Sequence, residues 1–267
     1  MVREIVNQGL VDIMLMSAST SEILALDEGL FATSPITPAA RANDTTDIWC
    51  GQSGGYSREP SLPFRTATID QLQCGRVECS PEERANGVDL GLYSITFNND
   101  TRLDREALTA YREFRIEAEK KGFRHFLEVF APNAPVNSVG DVGRYVNDCI
   151  ARTLAGIPRR SRPIFLKIPY FGPVAMDELA AYDPSLVIGI LGGSAGSTLE
   201  TFTLLAEAKK YGARAALFGR RINQAEDQLA FIRHLRQIAD GEISPEEAVA
   251  SYHAELASAG ITPHRSN

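Results

Sequence analysis

Short apolar runs alternate with longer charged stretches along the chain. Runs of Val, Ile, Leu, Phe and Ala fall at Val11–Ala18, Ala39–Asn43, Val88–Phe97, Phe126–Phe130, Ile164–Ile168, Leu186–Leu191 and Ala213–Phe218. Between the later runs lie amphipathic segments that predict helices: Asp104–Lys121, Val139–Leu154, Ala175–Tyr182 and Leu199–Tyr211. Gly122 and Gly212 stand just past two of them, where a left-handed residue closes a helix. Near-continuous apolar strands alternating with such helices mean parallel strands covered on both faces. A doubly wound sheet or a (β/α)8 barrel satisfies that pattern. Beyond the last run, residues 225–260 predict two C-terminal helices. The first spans Asp227–Ile238; after a break at Gly241, Ser244-Pro245-Glu246-Glu247 opens the second. Residues 44–80 are polar, rich in Gly and Pro, and read as a long loop with one hairpin around Phe64–Ile69.

Composition narrows the class without naming a chemistry. The 267 residues, 44% hydrophobic and 23% charged, suit one large α/β domain over 1–267 and argue against disorder. Lys and Arg number 27 against 34 Asp and Glu, a formal charge of −7, which speaks against nucleic acid or an anionic membrane as partner. No apolar run reaches the ~18 residues of a membrane span, and Met1-Val2-Arg3-Glu4 lacks a secretory apolar core, so a cytoplasmic protein is expected. Cys50, Cys74, Cys79 and Cys149 show no C-x-x-C spacing, which predicts reduced thiols, no structural zinc and no metal site.

Two strands carry a charge where neither face should be wet. In Pro163-Ile164-Phe165-Leu166-Lys167-Ile168-Pro169, Lys167 is the one polar side chain, close to the strand's C-terminal end. Desolvation there disfavours the ammonium, and a lysine so placed can attack a carbonyl to form a Schiff base. The plainer alternative is a lysine that snorkels from a barrel mouth or pairs structurally. Glu128, inside Phe126–Phe130, is the second such charge. On a neighbouring strand it would face Lys167, either orienting it and shuttling a proton or forming a buried ion pair without chemistry.

Other polar bursts follow strand ends. Gly192-Gly193-Ser194-Ala195-Gly196-Ser197-Thr198 lies between a strand and a helix and offers bare N–H groups to an anion. The next strand ends in Phe218-Gly219-Arg220-Arg221, and two glycine tips on the last two strands are how (β/α)8 enzymes hold a phosphate. Two ordinary tight turns are the alternative. Gly192-x-Ser194-x-Gly196 also matches a hydrolase nucleophile elbow, which would need Asp227 or Asp240 with His253 or His264. Arg41 through Asp47, including Asp44, and Asn98-Asn99-Asp100 would overhang the same mouth as Lys167, as ligands or as loop caps. His125 reads as a satisfied core histidine, His234 as solvated helix surface, and Asp12 and Asp89 as structural strand starts.

Lys-Ile-Pro-Tyr after an apolar strand, a Gly-Gly strand tip, and then Phe-Gly-Arg-Arg-Ile-Asn-Gln-Ala-Glu-Asp resemble the archaeal-type (DhnA-like) class I fructose-bisphosphate aldolases. The resemblance implies a (β/α)8 TIM barrel, a Schiff-base lysine at Lys167 with Tyr170 in a Lys-x-x-Tyr setting, and phosphate held by the loops at Gly192, Gly193, Ser194, Gly219 and Arg220. It implies no cofactor and a phosphorylated sugar as partner; relatives that assemble suggest a homo-oligomer. Two departures stand out. Phe130 or a neighbour occupies the place of the family's tyrosine acid/base. Gly9–Ala18 corresponds to the family's second strand, so the first would lie before Met1 and the chain carries seven barrel strands, lacking or replacing the first. The expected activity is a class I aldolase, a lyase acting through Lys167, Glu128, Tyr170 and Asp44, with Arg41 and Asn98 as further substrate contacts. The alternative is a non-catalytic aldolase-like protein that binds a sugar phosphate or serves in an assembly.

Overall fold

Each of the seven apolar runs forms a strand in the computed structural model, which describes residues 1–44, 54–193 and 196–265. The strands are β1 (Ile13–Met16), β2 (Thr37–Arg41), β3 (Leu90–Thr96), β4 (Arg124–Phe130), β5 (Leu166–Ile168), β6 (Ile188–Leu191) and β7 (Ala215–Leu217). They fall in two compact units, Ile13–Ile168 with β1–β5, and Met1–Asp12 with Pro169–Asn267, which holds β6 and β7.

In the first unit β1 to β5 follow one another in sequence order, each parallel to the next. All seven residues of β3 are buried, as expected for a strand covered on both faces. Its outer face carries Tyr93, whose ring lies 4.9 Å from Tyr111 and 4.6 Å from Phe114. Both belong to the helix Thr101–Lys120, capped by Asp100 and buried along the stripe Ala107, Tyr111, Phe114 and Ala118. His125 joins that outer layer: Tyr111 Oη and His125 Nε2 are 2.8 Å apart, and burial pulls the imidazole down to about 3, so it is neutral. The inner face begins with Leu92 paired to Phe126, whose ring stacks on Phe165 at 4.4 Å.

The segment 44–80 departs from expectation. Among the described residues no hairpin forms at Phe64–Ile69. Phe64 makes an isolated antiparallel bridge with Asp44, and Ile69–Cys74 is a helix. Thr68 starts it with a capping box: its hydroxyl accepts from Gln71 N, and the Gln71 side chain accepts from Thr68 N. Reduced thiols were expected, yet Cys74 and Cys79 form a disulfide, because the turn after the helix brings their Cα atoms to 6.2 Å. Cys50 lies outside the described residues.

The second unit pairs β6 with β7 in parallel and packs four long helices. The C-terminal pair is placed as the sequence predicts: Gln228–Asp240, capped by Asp227 and closed by left-handed Gly241, then Pro245–Ser258 with the Ser244–Glu247 capping box. Their core gathers Phe202, Phe231, Tyr252 and Leu256. His234 is part of it, not solvated surface: it stacks on Phe202, meets Tyr252 edge-on, and places Nδ1 2.8 Å from Ala230 O. Among the described residues no helix is long and apolar enough to cross a membrane.

Candidate active site

The two charges that interrupt apolar strands lie side by side. Glu128 of β4 is the ladder partner of Lys167 of β5, and paired residues share a face of the sheet. Glu128 is 2% and Lys167 7% exposed. Lys167 Nζ stands 2.6 Å from Glu128 Oε1. The second carboxylate oxygen, Oε2, accepts a hydrogen bond from Ser94 Oγ at 2.6 Å, and Ser94 is the β3 partner of Glu128. Arg41 reaches the same group from the end of β2: Nη1 donates to Ser94 Oγ at 3.4 Å and lies 3.9 Å from Glu128 Oε2. Every charge in the cluster therefore meets an opposite charge or a dipole, which offsets the desolvation of burying it.

Strand alternation sets what lies above and below. Leu92, Phe126 and Phe165 make an apolar floor, and Ser94, Glu128 and Lys167 form the next row. Thr96 and Phe130 stand one row nearer the C-terminal strand ends. An amine and a carboxylate one hydrogen bond apart can exchange a proton, and in so apolar a setting a free amine is a nucleophile for a carbonyl carbon.

The other expected residues of this unit serve the frame. Asn43 was not singled out on its own; its side chain accepts from Ser94 N at 2.7 Å and donates to Ser94 O at 2.8 Å, continuing the β2–β3 ladder by side chain. Asp44 exchanges backbone hydrogen bonds with Phe64, and its carboxylate joins no part of the Lys167 cluster among the described residues. Asn98 ties two loops together. It donates to Asn133 Oδ1 at 3.0 Å, accepts from Ala134 N at 3.0 Å, and its backbone N–H donates to Asp104. Ser94 was missed, although a serine and a threonine two residues apart inside Leu90–Phe97 carry the period-2 signal of a polar inner face.

In the second unit the glycine loops are held by their own side chains. Arg221 donates from Nε to Gly192 O and from Nη1 to Thr201 Oγ1 at 2.6 Å. Burial pulls its guanidinium below the ordinary value, Arg265 adding to the pull and Glu200 opposing it. A Cβ on Gly192 would stand 2.8 Å from the Phe218 ring, and one on Gly196 3.0 Å from Arg221 Nη1, so both glycines make room for neighbouring side chains. Gly193, at φ +68°, needs glycine for its left-handed backbone. Glu200 Oε2 accepts from Ser197 N at 2.8 Å and so occupies the first free N–H of the helix Thr198–Lys210. Gly219 opens the short helix Arg220–Asn223, and the exposed Arg220 side chain makes no hydrogen bond or ion pair among the described residues. Ser194 lies outside the described residues. Tyr170 belongs to this unit; its hydroxyl is buried and unpartnered among the described residues, and burial, then Glu207, Tyr211 and Asp177, push its pKa up. Among the described residues no three His, Cys, Asp or Glu side chains gather as a metal site would require.

No protein-family model matches the chain, and no curated protein matches it in sequence. Solved structures do match in shape. A fructose-bisphosphate aldolase from Slackia heliotrinireducens aligns with a TM-score of 0.70 at 15% identity, over 95% of this chain and 76% of that one. An archaeal fructose 1,6-bisphosphate aldolase aligns at 0.64 and 14% identity, over 90% of this chain and 82% of its own. An archaeal aldolase whose catalytic lysine is covalently bound to the carbinolamine intermediate of the substrate aligns at 0.64 and 14% identity, over 89% and 82%. At such identities the likeness speaks for architecture, and the parallel strand order found here agrees with it. The chain has the α/β fold of TIM-barrel aldolases, with seven strands among its described residues.

Proposed function

We propose that the chain is a class I aldolase, a lyase that makes or breaks a C–C bond through a Schiff base on Lys167. The observation that carries this is the buried Lys167–Glu128 contact of 2.6 Å, set on the inner face of a parallel sheet. The aldolase structures that share the fold, one with its catalytic lysine caught as a covalent intermediate, support the reading. Proton transfer from Nζ to Glu128 Oε1 frees the lone pair, which attacks the substrate's ketone carbon. Glu128 returns its proton to the alkoxide, which becomes the carbinolamine hydroxyl; it then takes the second proton from the nitrogen and passes it to that hydroxyl, which leaves as water as the iminium forms. That iminium draws the electron pair of the breaking C–C bond, while Glu128 takes the proton of the departing aldehyde's hydroxyl. Ser94 and Arg41, both on Oε2, keep the carboxylate aimed. Phe130 cannot transfer a proton, so the carboxylate does what a tyrosine would.

A phosphorylated ketose is the substrate class we propose, with Arg220 and the Gly192–Gly193 and Gly219 backbone as the phosphate ligands; the motif resemblance supports this. Incubation with dihydroxyacetone phosphate and sodium borohydride, followed by peptide mass spectrometry, tests the reaction. A reduced adduct on Lys167 is the expected result, and an unmodified Lys167 overturns the proposal.

A further inference from the structure

The row above Lys167 contains one group that the chemistry so far leaves unused. Thr96 is 1% exposed, and its Oγ1 has no hydrogen-bond partner among the described residues. Its neighbours of like type are satisfied: Ser94 Oγ is held by both Glu128 and Arg41. A buried hydroxyl left unpaired destabilises a fold, and valine would fill the same strand position without that penalty. Thr96 shares the inner face with Ser94, because side chains two residues apart on a strand point the same way. It is displaced by two residues, about 6.6 Å, toward the C-terminal ends. Its ladder partner Phe130 has no side-chain polar atom to offer it.

Resting on the Schiff-base reading, we propose that Thr96 Oγ1 is a specificity-determining contact: it hydrogen-bonds a hydroxyl on the carbon next to the carbonyl that Lys167 attacks. Thr96 lies on β3, two strands from Lys167 of β5 and one row nearer the C-terminal strand ends, so a substrate held on Nζ meets it by extending across β4 toward that row. A site built to pair with a substrate hydroxyl rejects the deoxy analogue, since its own buried hydroxyl then stays unmatched.

The test compares two ketone probes, dihydroxyacetone phosphate, with one free hydroxyl beside the carbonyl, and hydroxyacetone phosphate, which lacks it. Half-saturation of the borohydride-reduced adduct on Lys167 is read by mass spectrometry against probe concentration. The unsubstituted protein is expected to prefer the dihydroxy probe by about tenfold or more. Thr96→Val should erase that preference by weakening only the dihydroxy probe, and its melting temperature should be unchanged or higher. Thr96→Ser, which keeps the hydroxyl, should retain the preference and guards against a valine variant that fails to fold. A preference unchanged in Thr96→Val, or absent from the unsubstituted protein, overturns the assignment of Thr96 while leaving the Schiff base standing. An absence of any adduct with either probe overturns the Schiff-base reading and this assignment with it.

Discussion

The Lys167 cluster lies within strands and the glycine loops at Gly192 and Gly219 follow strand ends, and the two use polar atoms in opposite ways. In the cluster, Lys167, Glu128 and Ser94 are ladder partners on three adjacent strands, and their side chains meet one another. In the loops, the side chains turn back on the backbone: Arg221 holds Gly192 O, and Glu200 takes the N–H at the helix start. A regular strand leaves its side chains free for chemistry because the ladder satisfies its N–H and C=O groups. An irregular loop has unpaired backbone groups of its own and recruits nearby side chains to satisfy them.

That difference is broken most severely at Lys167. Lys167→Met should abolish the reduced adduct and bring turnover below detection. It should also destabilise the fold by about 3–5 kcal/mol, because the buried Glu128 is left without its lysine. Adding Glu128→Leu should restore most of the lost stability and none of the activity, which chemical denaturation and turnover assays read separately. Were Lys167→Met as stable as the parent, the pair would not be a buried ion pair at all.

Acid separates the two units next. His125 in the first unit titrates near 3 in the fold and near 6.5 when unfolded. The unfolded chain then binds more protons between those values, so stability is complete above about pH 6.5 and falls as pH drops, by several kcal/mol in all. In the second unit burial alone would raise Glu226, but N–H groups and the Arg265 guanidinium hold its carboxyl down to about 2. Its stabilisation is present above about pH 4.5 and is lost as pH falls toward 2. Hydrogen exchange between pH 4.5 and 6 should show the Tyr111–His125 layer loosening first, and His125→Gln should flatten that dependence. Loosening of the Glu226–Arg265 region first would reverse the assignment.

A smaller effect isolates the carboxylate's support. Ser94→Ala removes the bond to Glu128 Oε2 and should lower kcat about 10- to 100-fold, a loss of roughly 1.5–3 kcal/mol, with little change in KM. An unchanged kcat would mean that Arg41 alone aims the carboxylate.

What could be read from the sequence follows from the same physics. All seven strands were legible, because buried parallel strands need apolar residues at nearly every position. Lys167 and Glu128 were legible as breaks in that rule. The ladder register that pairs them depends on packing of distant segments and left no local mark. The helix Ile69–Cys74 and the Cys74–Cys79 disulfide were missed inside a polar stretch, though Thr68-x-x-Gln71 carried the capping signal. His234 was misplaced because its neighbours Arg233 and Arg236 face outward while the helix turns the imidazole into the core. The glycine spacing around Gly192 is the instructive case: it suggested a cradle for an anion, and part of that room is filled by Arg221.

The two arginines at the β7 tip test how much of the loop remains for a ligand. The Arg220 side chain is exposed and unpaired among the described residues, whereas Arg221 is tied to Gly192 and Thr201. If phosphate is held here, Arg220→Ala should raise KM for a phosphorylated substrate several-fold and leave kcat nearly as it was, the signature of lost uniform binding. An unphosphorylated analogue should be indifferent to the change. Arg221→Ala removes two hydrogen bonds of the loop's own and should lower the melting temperature by a few degrees. Its effect on KM should be similar for both substrates, because it acts on loop position and not on the phosphate charge. An Arg220→Ala enzyme equally impaired with both analogues would place the phosphate elsewhere and leave these loops as strand ends that satisfy only themselves.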